Sequence, residues 1–166
     1  QKAGLGWIGK NTLLNNCEYG SYVFLGFIFT SLEFEAGVPL ENLCGTCTKC
    51  IDACPAGALK DPGIIDAREC IAYLTIEHKG TFDNLYPSTF GKRIFGCDRC
   101  QEVCPWINKA VPHSEVRFNQ IPEIGNYTFS DWETISEEKF KNLFKSSTIG
   151  RLGFQRITRN HIFIRK

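Results

Sequence analysis

Residues 21–35 form a long apolar stretch near the start of the chain. They read Ser-Tyr-Val-Phe-Leu-Gly-Phe-Ile-Phe-Thr-Ser-Leu-Glu-Phe-Glu, apolar at first and then alternating between apolar and polar. Because β-branched and aromatic residues favour strands, this pattern predicts a buried β-strand that ends half exposed. Gly26 within it indicates a bulge or a close approach of the backbone to a ligand.

A helical pattern follows a predicted loop at residues 56–65, in which Asp61-Pro62-Gly63 forms a turn. Asp66 is placed to act as the N-cap of a helix over about residues 67–77. The residues that would share one face of this helix are Cys70, Tyr73, Leu74 and Glu77. Residues 78–95 and 112–122 are predicted loops, because they are rich in turn-forming residues.

Ser136 is placed to cap a second helix that runs to about Lys145, with Phe140, Leu143 and Phe144 as its apolar face. The final residues, 149–166, carry a series of cations. The series consists of Arg151, Arg156, Arg159, Arg165 and Lys166, with His161 among them. Two interpretations stay open for these cations, a solvated helix surface and a patch that contacts phosphate.

Composition sets the broad class. The chain has 166 residues, 43% of them hydrophobic, which suits one domain or slightly more with a real core. Its net charge of +1 argues neither for nor against a nucleic-acid partner. No apolar run is long enough to predict a membrane-spanning helix. The chain begins Gln-Lys-Ala-Gly and has no Met, so we expect it to be an internal part of a longer protein.

Eight of the nine cysteines carry the strongest chemical signal. The first run is Cys44-Gly-Thr-Cys47-Thr-Lys-Cys50-Ile-Asp-Ala-Cys54-Pro55, the second is Cys97-Asp-Arg-Cys100-Gln-Glu-Val-Cys104-Pro105, and Cys70 stands alone between them. Three thiols at this spacing can surround one cubane [4Fe–4S] cluster. In two-cluster ferredoxins the cysteine before proline serves the other cluster. The predicted ligands are therefore Cys44, Cys47, Cys50 and Cys104 for the first cluster and Cys54, Cys70, Cys97 and Cys100 for the second.

Short ligand-bearing helices are predicted at Cys47–Ala53 and Asp98–Val103. Disulfides are disfavoured, because no secretory segment is visible and such dense C-x2-C pairs suit a metal. Nine cysteines without such a segment indicate a reducing compartment, the cytoplasm. Structural zinc sites have two separated C-x2-C pairs instead of one long run. Cys17 fits neither run and is predicted to be a small buried thiol.

Three glycines near the start, Gly4, Gly6 and Gly9, match G-x-G-x-x-G by letter. A dinucleotide site also needs a preceding strand and a βαβ context, which the sequence does not show, and the P-loop pattern fails at Asn11. A structural turn and a ligand-facing loop remain equally open for this segment.

Taken together, these motifs resemble the epoxyqueuosine reductase family. The segments that carry the resemblance are Gly4-Leu-Gly-Trp-Ile-Gly-Lys-Asn-Thr12 with Gly20-Ser-Tyr-Val-Phe-Leu-Gly26, Cys70-Ile-Ala-Tyr-Leu-Thr-Ile-Glu-His-Lys-Gly80, Gly96-Cys-Asp-Arg-Cys-Gln-Glu-Val-Cys-Pro-Trp106, and Phe144-Lys-Ser-Ser-Thr-Ile149 with Arg151 and Arg159-Asn160. The resemblance implies an α+β fold. Residues 1–40 would end a cobalamin-binding α/β domain, residues 41–111 would form a ferredoxin-like module with two [4Fe–4S] clusters, and residues 112–166 would begin HEAT-like helical repeats.

The resemblance also implies a reaction. Epoxyqueuosine at the wobble position of tRNA would take up two electrons and two protons, lose water and become queuosine. Electrons would pass through the two clusters to cobalamin, from a reductant such as a flavodoxin or ferredoxin, in a monomeric cytoplasmic enzyme. The proton-donating Asp of the family would lie before residue 1, so no catalytic residue is expected in this chain.

Further residue roles follow from the resemblance alone. Lys10 and Asn11 would lie against the corrin, and Asp98 would lie near the cobalamin. Ala72 stands where the family usually has Ser. Candidates for tRNA binding, by phosphate contact or base stacking, are Tyr73, His78, Lys79, Arg156 and Arg159.

Two alternatives belong to other classes. A corrinoid reductive dehalogenase would share the electron path but act on a small organohalide; such enzymes are typically exported and lack a basic helical extension. A plain ferredoxin would carry electrons without catalysis, which leaves residues 1–35 and 112–166 unexplained.

Overall fold

The computed structural model describes residues 1–166 as short helices with two small antiparallel sheets. The strands are β1 (Trp7–Ile8), β2 (Leu14–Asn15), β3 (Leu59–Asp61) and β4 (Ile64–Ile65). The α-helices are α1 (Lys49–Asp52), α2 (Ile71–Ile76), α3 (Pro87–Phe90), α4 (Arg99–Glu102), α5 (Asp131–Thr134), α6 (Glu137–Phe144), α7 (Thr148–Leu152) and α8 (Phe154–Ile164). Single turns of 3-10 helix lie at Pro105–Lys109, Val116–Phe118 and Pro122–Asn126. None of the helices is long and apolar enough to cross a membrane.

The chain divides into two compact units. The first unit comprises residues 1–66 and 98–112, and the second comprises residues 67–97 and 113–166. Both units are therefore built from two separate stretches of sequence. The predicted domain boundaries, after residues 40 and 111, stay predictions.

The first unit is organised around the hairpin of β1 and β2. Trp7 pairs with Asn15 across this hairpin, and both side chains are buried. The Trp7 ring packs edge-on against Trp106, with the ring centroids 4.7 Å apart. Gly63, in the β3–β4 turn, donates its N–H to the Lys10 carbonyl, so the second hairpin is tied to the loop of the first. The contact between Trp7 and Trp106 also packs the chain just after the second cysteine run onto the glycine-rich start.

The second unit packs α2, α3, α5, α6 and α7 against α8. Aromatic side chains form much of its interior, among them Phe90, Phe140 and Phe144, each no more than 2% exposed. Phe82 and Phe90 both contact the ring of Phe163 on α8. Helix α8 is therefore the element on which this unit is built.

Side chains of α8 also cap the end of α2. The last carbonyl groups of a helix have no partner within the helix. Asn160 donates to the Thr75 carbonyl at 2.8 Å and to the Ile94 carbonyl at 2.9 Å. Arg156 donates to the Ile76 carbonyl at 3.0 Å, and Arg159 donates to the carbonyl groups beyond it. These contacts allow α2, a helix of only six residues, to end inside the protein.

Several predicted elements are confirmed. Ser136 caps α6 by accepting the Lys139 N–H, and Phe140 and Phe144 are buried. The two ligand-bearing helices form as α1 and α4. A turn at Pro62-Gly63 also forms.

The predicted strand at residues 21–35 is wrong for this structure. No strand forms there, and apolar side chains such as Phe24, Ile28 and Phe29 are 87%, 91% and 98% exposed. Strands need a neighbour to bond their backbone groups, and these residues pair with no other strand. Gly26 has no protein atom close to where a Cβ would stand, so no contact within the chain requires a glycine there. The close approach to a ligand stays a prediction.

Four smaller predictions are corrected as well. Asp66 does not cap α2, because the chain makes a further turn through residue 70 and Cys70 occupies the N-cap position. The buried face of α2 is Ile71, Leu74 and Thr75, whereas Tyr73 and Glu77 are exposed. The segments 56–65 and 78–95 contain the β3–β4 hairpin and α3 in place of continuous loops. Cys17 is exposed and not buried.

Candidate iron-sulfur centre

Four cysteines from two distant stretches of sequence surround one cavity in the first unit. They are Cys44, Cys47, Cys50 and Cys104, and the cavity has a volume of about 200 Å³. The other residues that line it are Lys10, Asn11, Asn15, Leu43, Lys49, Pro105 and Trp106. The grouping is the one predicted for the first cluster, including the remote Cys104.

Local backbone contacts position the first three thiols. The Asn42 side chain accepts the Cys44 N–H at 2.8 Å, and the Cys44 carbonyl accepts the Cys47 N–H at 3.1 Å. Gly45 between them has φ +51°, a conformation that glycine adopts without strain. Cys50 follows in the first turn of α1. The spacing of the run thus folds its thiols toward a common centre.

Cys104 reaches the same cavity from the second run. It is the N-cap residue of the 3-10 helix that starts at Pro105. Gly20 lies against this helix so closely that a Cβ there would stand 2.6 Å from the Trp106 carbonyl oxygen. A larger residue at Gly20 would therefore push the Cys104 turn away from the other three thiols.

Burial and mutual repulsion act on the thiols in the same direction. Burial raises the pKa of the Cys50 thiol, and negative charge on Cys44 or Cys104 raises it further. Burial likewise raises the pKa of the Cys104 thiol. Iron binding must therefore displace protons from thiols that hold them well. Lys10 and Lys49 also line the cavity, and their positive charges would offset the negative charge of the thiolates.

Two asparagine amides border the thiols. The Asn15 side-chain oxygen lies 3.8 Å from the Cys104 sulfur. Asn11 is 4% exposed, and its amide nitrogen has no hydrogen-bond partner. Asn15 and Trp106 line the cavity but were not predicted to be site residues. Their positions next to the glycine motif and the second Cys-Pro pair were the only available signals.

The donor set fits a [4Fe–4S] cluster. Four cysteine thiolates are its usual ligands, and here four thiols enclose a single cavity. A zinc site would need the four sulfurs about 3.8 Å apart, as zinc–sulfur bonds require. No group of three or more His, Cys, Asp or Glu side chains in residues 1–166 is arranged to hold one metal ion.

The remaining four predicted ligands stay a prediction. Cys54 and Cys100 belong to the first unit, and Cys70 and Cys97 belong to the second. All nine cysteines, these included, are free of disulfides.

The predicted cobalamin residues lie in different surroundings. The Lys10 ammonium group donates a hydrogen bond to the Gly45 carbonyl at 2.7 Å, which links the glycine loop to the first cysteine run. Asp98 accepts a hydrogen bond from the Gln101 side chain at 2.9 Å. Ala72 is half-buried on α2. Their contact with a corrin stays a prediction.

The predicted tRNA residues divide into two groups. Tyr73 and Lys79 are exposed, and the His78 ring is hydrogen-bonded to the Thr81 carbonyl at 2.9 Å. Arg156 and Arg159 instead bond backbone carbonyls around the end of α2. The Arg159 guanidinium also lies 4.3 Å from the centre of the Phe82 ring. These two arginines therefore hold α2 and α8 together, and their contact with phosphate stays a prediction.

Comparison with known proteins extends this picture beyond the cavity. A 4Fe-4S double cluster binding domain family matches residues 43–107. An epoxyqueuosine reductase of Leadbetterella byssophila is 43% identical over 166 residues, which are 100% of this chain and 54% of that protein. This chain is a relative of the epoxyqueuosine reductases. The epoxyqueuosine reductase of Bacillus subtilis is 40% identical over 163 residues, 98% of this chain and 42% of that protein.

Solved epoxyqueuosine reductases share the fold. A crystal structure of epoxyqueuosine reductase with an epoxyqueuosine-modified tRNA-Tyr stem loop matches with a TM-score of 0.89 and 39% identity, over 98% of this chain and 43% of that one. The enzyme from Streptococcus thermophilus matches with a TM-score of 0.84 and 32% identity, again over 98% of this chain and 43% of that one. The chain spans about half the length of the curated relatives it matches.

Proposed function

We propose that this chain is the iron–sulfur part of an enzyme that reduces epoxyqueuosine to queuosine at the wobble position of tRNA. The observation that carries the proposal is the convergence of four cysteine thiols on one cavity, in a chain that is about 40% identical to epoxyqueuosine reductases over its whole length. The reaction takes up two electrons and two protons and releases water as the epoxide becomes an alkene.

The residues at the cavity have distinct tasks in this proposal. The four thiols, from Cys44 to Cys104, would hold the first cluster, which supplies one-electron transfer when bound. Lys10 would fix the distance between the glycine loop and the cysteine run through its bond to the Gly45 carbonyl, and its charge would favour the reduced cluster. Trp7 and Trp106 would keep water from the cluster on the hairpin side.

The second cluster and cobalamin complete the proposal. Support for a second cluster comes from the double cluster family that matches residues 43–107 and from the spacing of Cys54, Cys70, Cys97 and Cys100. Cobalamin, when bound, would supply the reducing metal for the epoxide. Its support is the resemblance at the glycine motif, with Lys10, Asn11, Ala72 and Asp98 as candidate contacts.

The exposed apolar stretch supports the proposed domain order. Phe27, Ile28 and Phe29 are 79%, 91% and 98% exposed. Such a continuous exposed apolar patch is typical of a surface that another part of the protein or a partner covers. We infer that these side chains are covered in the whole protein by the rest of a cobalamin-binding domain, of which residues 1–40 are the last part. We infer likewise that the helices of residues 112–166 begin HEAT-like repeats.

Binding of tRNA would use the exposed residues near the end of α2. Lys79 and Tyr73 are free to reach a phosphate and to stack on a base. Substitution of Arg156 or Arg159 would not test this contact cleanly, because it would also remove the capping of α2. Lys79→Ala is the informative variant, and Lys145→Ala on another exposed turn is its matched control.

The proposal is tested by turnover with the whole protein, reconstituted anaerobically with iron, sulfide and cobalamin and supplied with reduced flavodoxin. We expect conversion of epoxyqueuosine to queuosine in a tRNA stem loop, and weaker tRNA binding with a shallower salt dependence for Lys79→Ala but not for Lys145→Ala. Iron uptake without turnover of tRNA, but with cleavage of a small organohalide, would favour the dehalogenase alternative. Iron uptake without cobalamin binding would favour a plain electron carrier. The proposed setting is a monomer in the cytoplasm, where free thiols persist.

A further inference from the structure

A buried hydrogen-bond donor at the cluster cavity has no acceptor among the protein atoms. This donor is the side-chain nitrogen of Asn11, a residue that lines the cavity and is 4% exposed. Leaving a buried polar group without a partner destabilises the folded protein. Such a group persists at a functional position when a bound molecule completes its bonding.

The orientation of the Asn11 amide is fixed by its neighbours. Its side-chain oxygen accepts the Leu13 N–H at 3.3 Å, so the nitrogen is the atom left over. Thr12, the next residue, has φ +68°, which bends the loop so that Asn11 and Leu13 meet. A side chain at Gly9 would place its Cβ 2.7 Å from the Asn11 oxygen and 2.4 Å from the Asn15 nitrogen. Gly9 and the left-handed backbone conformation of Thr12 therefore fix the positions of the Asn11 and Asn15 amides beside the thiols.

We propose that the Asn11 amide donates an N–H···S hydrogen bond to a sulfur of the cluster bound by Cys44, Cys47, Cys50 and Cys104, and thereby raises the reduction potential of that cluster. The inference rests on the proposed cluster at these four cysteines. Reduction adds negative charge to the cluster, and a donor stabilises the more negative state more strongly. Asn11 is thus a tuning residue for this cluster, in addition to any contact with a corrin.

The size of the effect follows from ordinary hydrogen-bond strengths. Hydrogen bonds to charged groups are stronger than those to neutral groups by an amount that corresponds to about a tenfold change in an equilibrium constant. We take the negative charge added on reduction to strengthen the Asn11 bond by this amount. For a one-electron couple, a tenfold change corresponds to about 59 mV. We therefore expect removal of the donor to lower the midpoint potential of the first cluster by about this amount.

The test is a redox titration of the whole protein, reconstituted with iron and sulfide but without cobalamin, and followed by electron paramagnetic resonance. The variant is Asn11→Leu, which removes the donor at similar volume, and Asn119→Leu at an exposed position is the matched control. The signal that Cys44→Ala abolishes identifies the first cluster. We expect Asn11→Leu to retain the iron and to need a more negative potential for reduction, about tenfold in the reduced-to-oxidised ratio, while the control is unchanged.

A second measurement makes the result independent of how well the variant binds iron. In the unsubstituted protein with isotope-labelled asparagine, pulsed paramagnetic resonance of the reduced first cluster should show a weak coupling to an amide nitrogen. An unchanged potential in an iron-replete Asn11→Leu protein, or the absence of that nitrogen coupling, would overturn the inference. Failure of the unsubstituted protein to bind any cluster at these cysteines would instead refute the proposed function.

Discussion

The contact between α8 and the end of α2 gives a quantitative prediction. Asn160 is fully buried and donates to the carbonyl groups of Thr75 and Ile94, while its oxygen accepts from Arg159. Asn160→Ala would leave both carbonyls without this donor. Each such group costs about 1–3 kcal/mol, and a water molecule entering the vacated space would recover part of the loss. We therefore expect the variant to lose about 2–4 kcal/mol of the free energy that keeps this region closed.

Amide hydrogen exchange is the suitable assay, because it reports local opening of α2 without requiring two-state unfolding of the whole protein. A loss of 2–4 kcal/mol corresponds to exchange about 30- to 1,000-fold faster. The faster exchange should be confined to peptides that cover α2 and residues 94–97. These residues include Gly96, whose N–H donates to the Thr75 hydroxyl at 2.9 Å.

Asn142→Ala, an exposed substitution on α6, is the matched control and should leave the exchange of α2 unchanged. Exchange in Asn160→Ala within about threefold of the unsubstituted protein would refute the reasoning. It would mean that the two carbonyls need no donor from α8.

Three further predictions concern single residues. Ser136→Ala removes the hydroxyl that accepts the Lys139 N–H at 3.1 Å and caps α6, so it should lower the free energy of unfolding by about 1 kcal/mol. The shift of the denaturant midpoint measures this loss, and an unchanged midpoint would contradict the capping role. Arg117 holds the pKa of the exposed Glu115 carboxyl at about 2, so NMR titration of Arg117→Ala should show that pKa return toward its ordinary value. Because the folded-state pKa is lowered, any stability that the pair contributes is present above the ordinary pKa of Glu and is lost as the pH falls toward 2; titration of Glu115 near its ordinary pKa in the unsubstituted protein would show that the pair does not form. Gly9→Ala should displace the Asn11 and Asn15 amides and reduce the iron retained per protein, whereas Gly26→Ala, where the space is open, should leave it unchanged. Equal iron retention by the two variants would contradict the packing described at Gly9.

The grouping of four thiols at one cavity was predictable from the sequence, because cysteine spacing constrains it strongly, whereas the clusters themselves stay a prediction. The run from Cys44 to Cys50 could curl around only one centre, and the crossing rule of two-cluster ferredoxins assigned Cys104 to it. Neither inference required knowledge of the surrounding fold. The Ser136 cap was predictable for the same reason, since a cap depends on residues within one turn.

Elements that depend on distant partners were predicted less well. Residues 21–35 have strand composition, but a strand forms only where another strand pairs with it. The capping of α2 by Asn160 joins residues far apart in sequence, and no local pattern indicates it. Arg156 and Arg159 likewise looked like surface cations, because their carbonyl partners become apparent only when α8 packs against α2.

Iron counting in paired variants tests most directly whether Cys104 serves the same cluster as Cys44. The whole protein should hold about eight irons after anaerobic reconstitution, as two cubane clusters require. Cys44→Ala and Cys104→Ala should each lose about half of them and abolish the same paramagnetic signal, and the double variant should lose no more than either single one. Cys17→Ala, at the exposed ninth cysteine, should keep them all. A double variant that loses nearly all of its iron would place the two cysteines on different clusters and contradict the account.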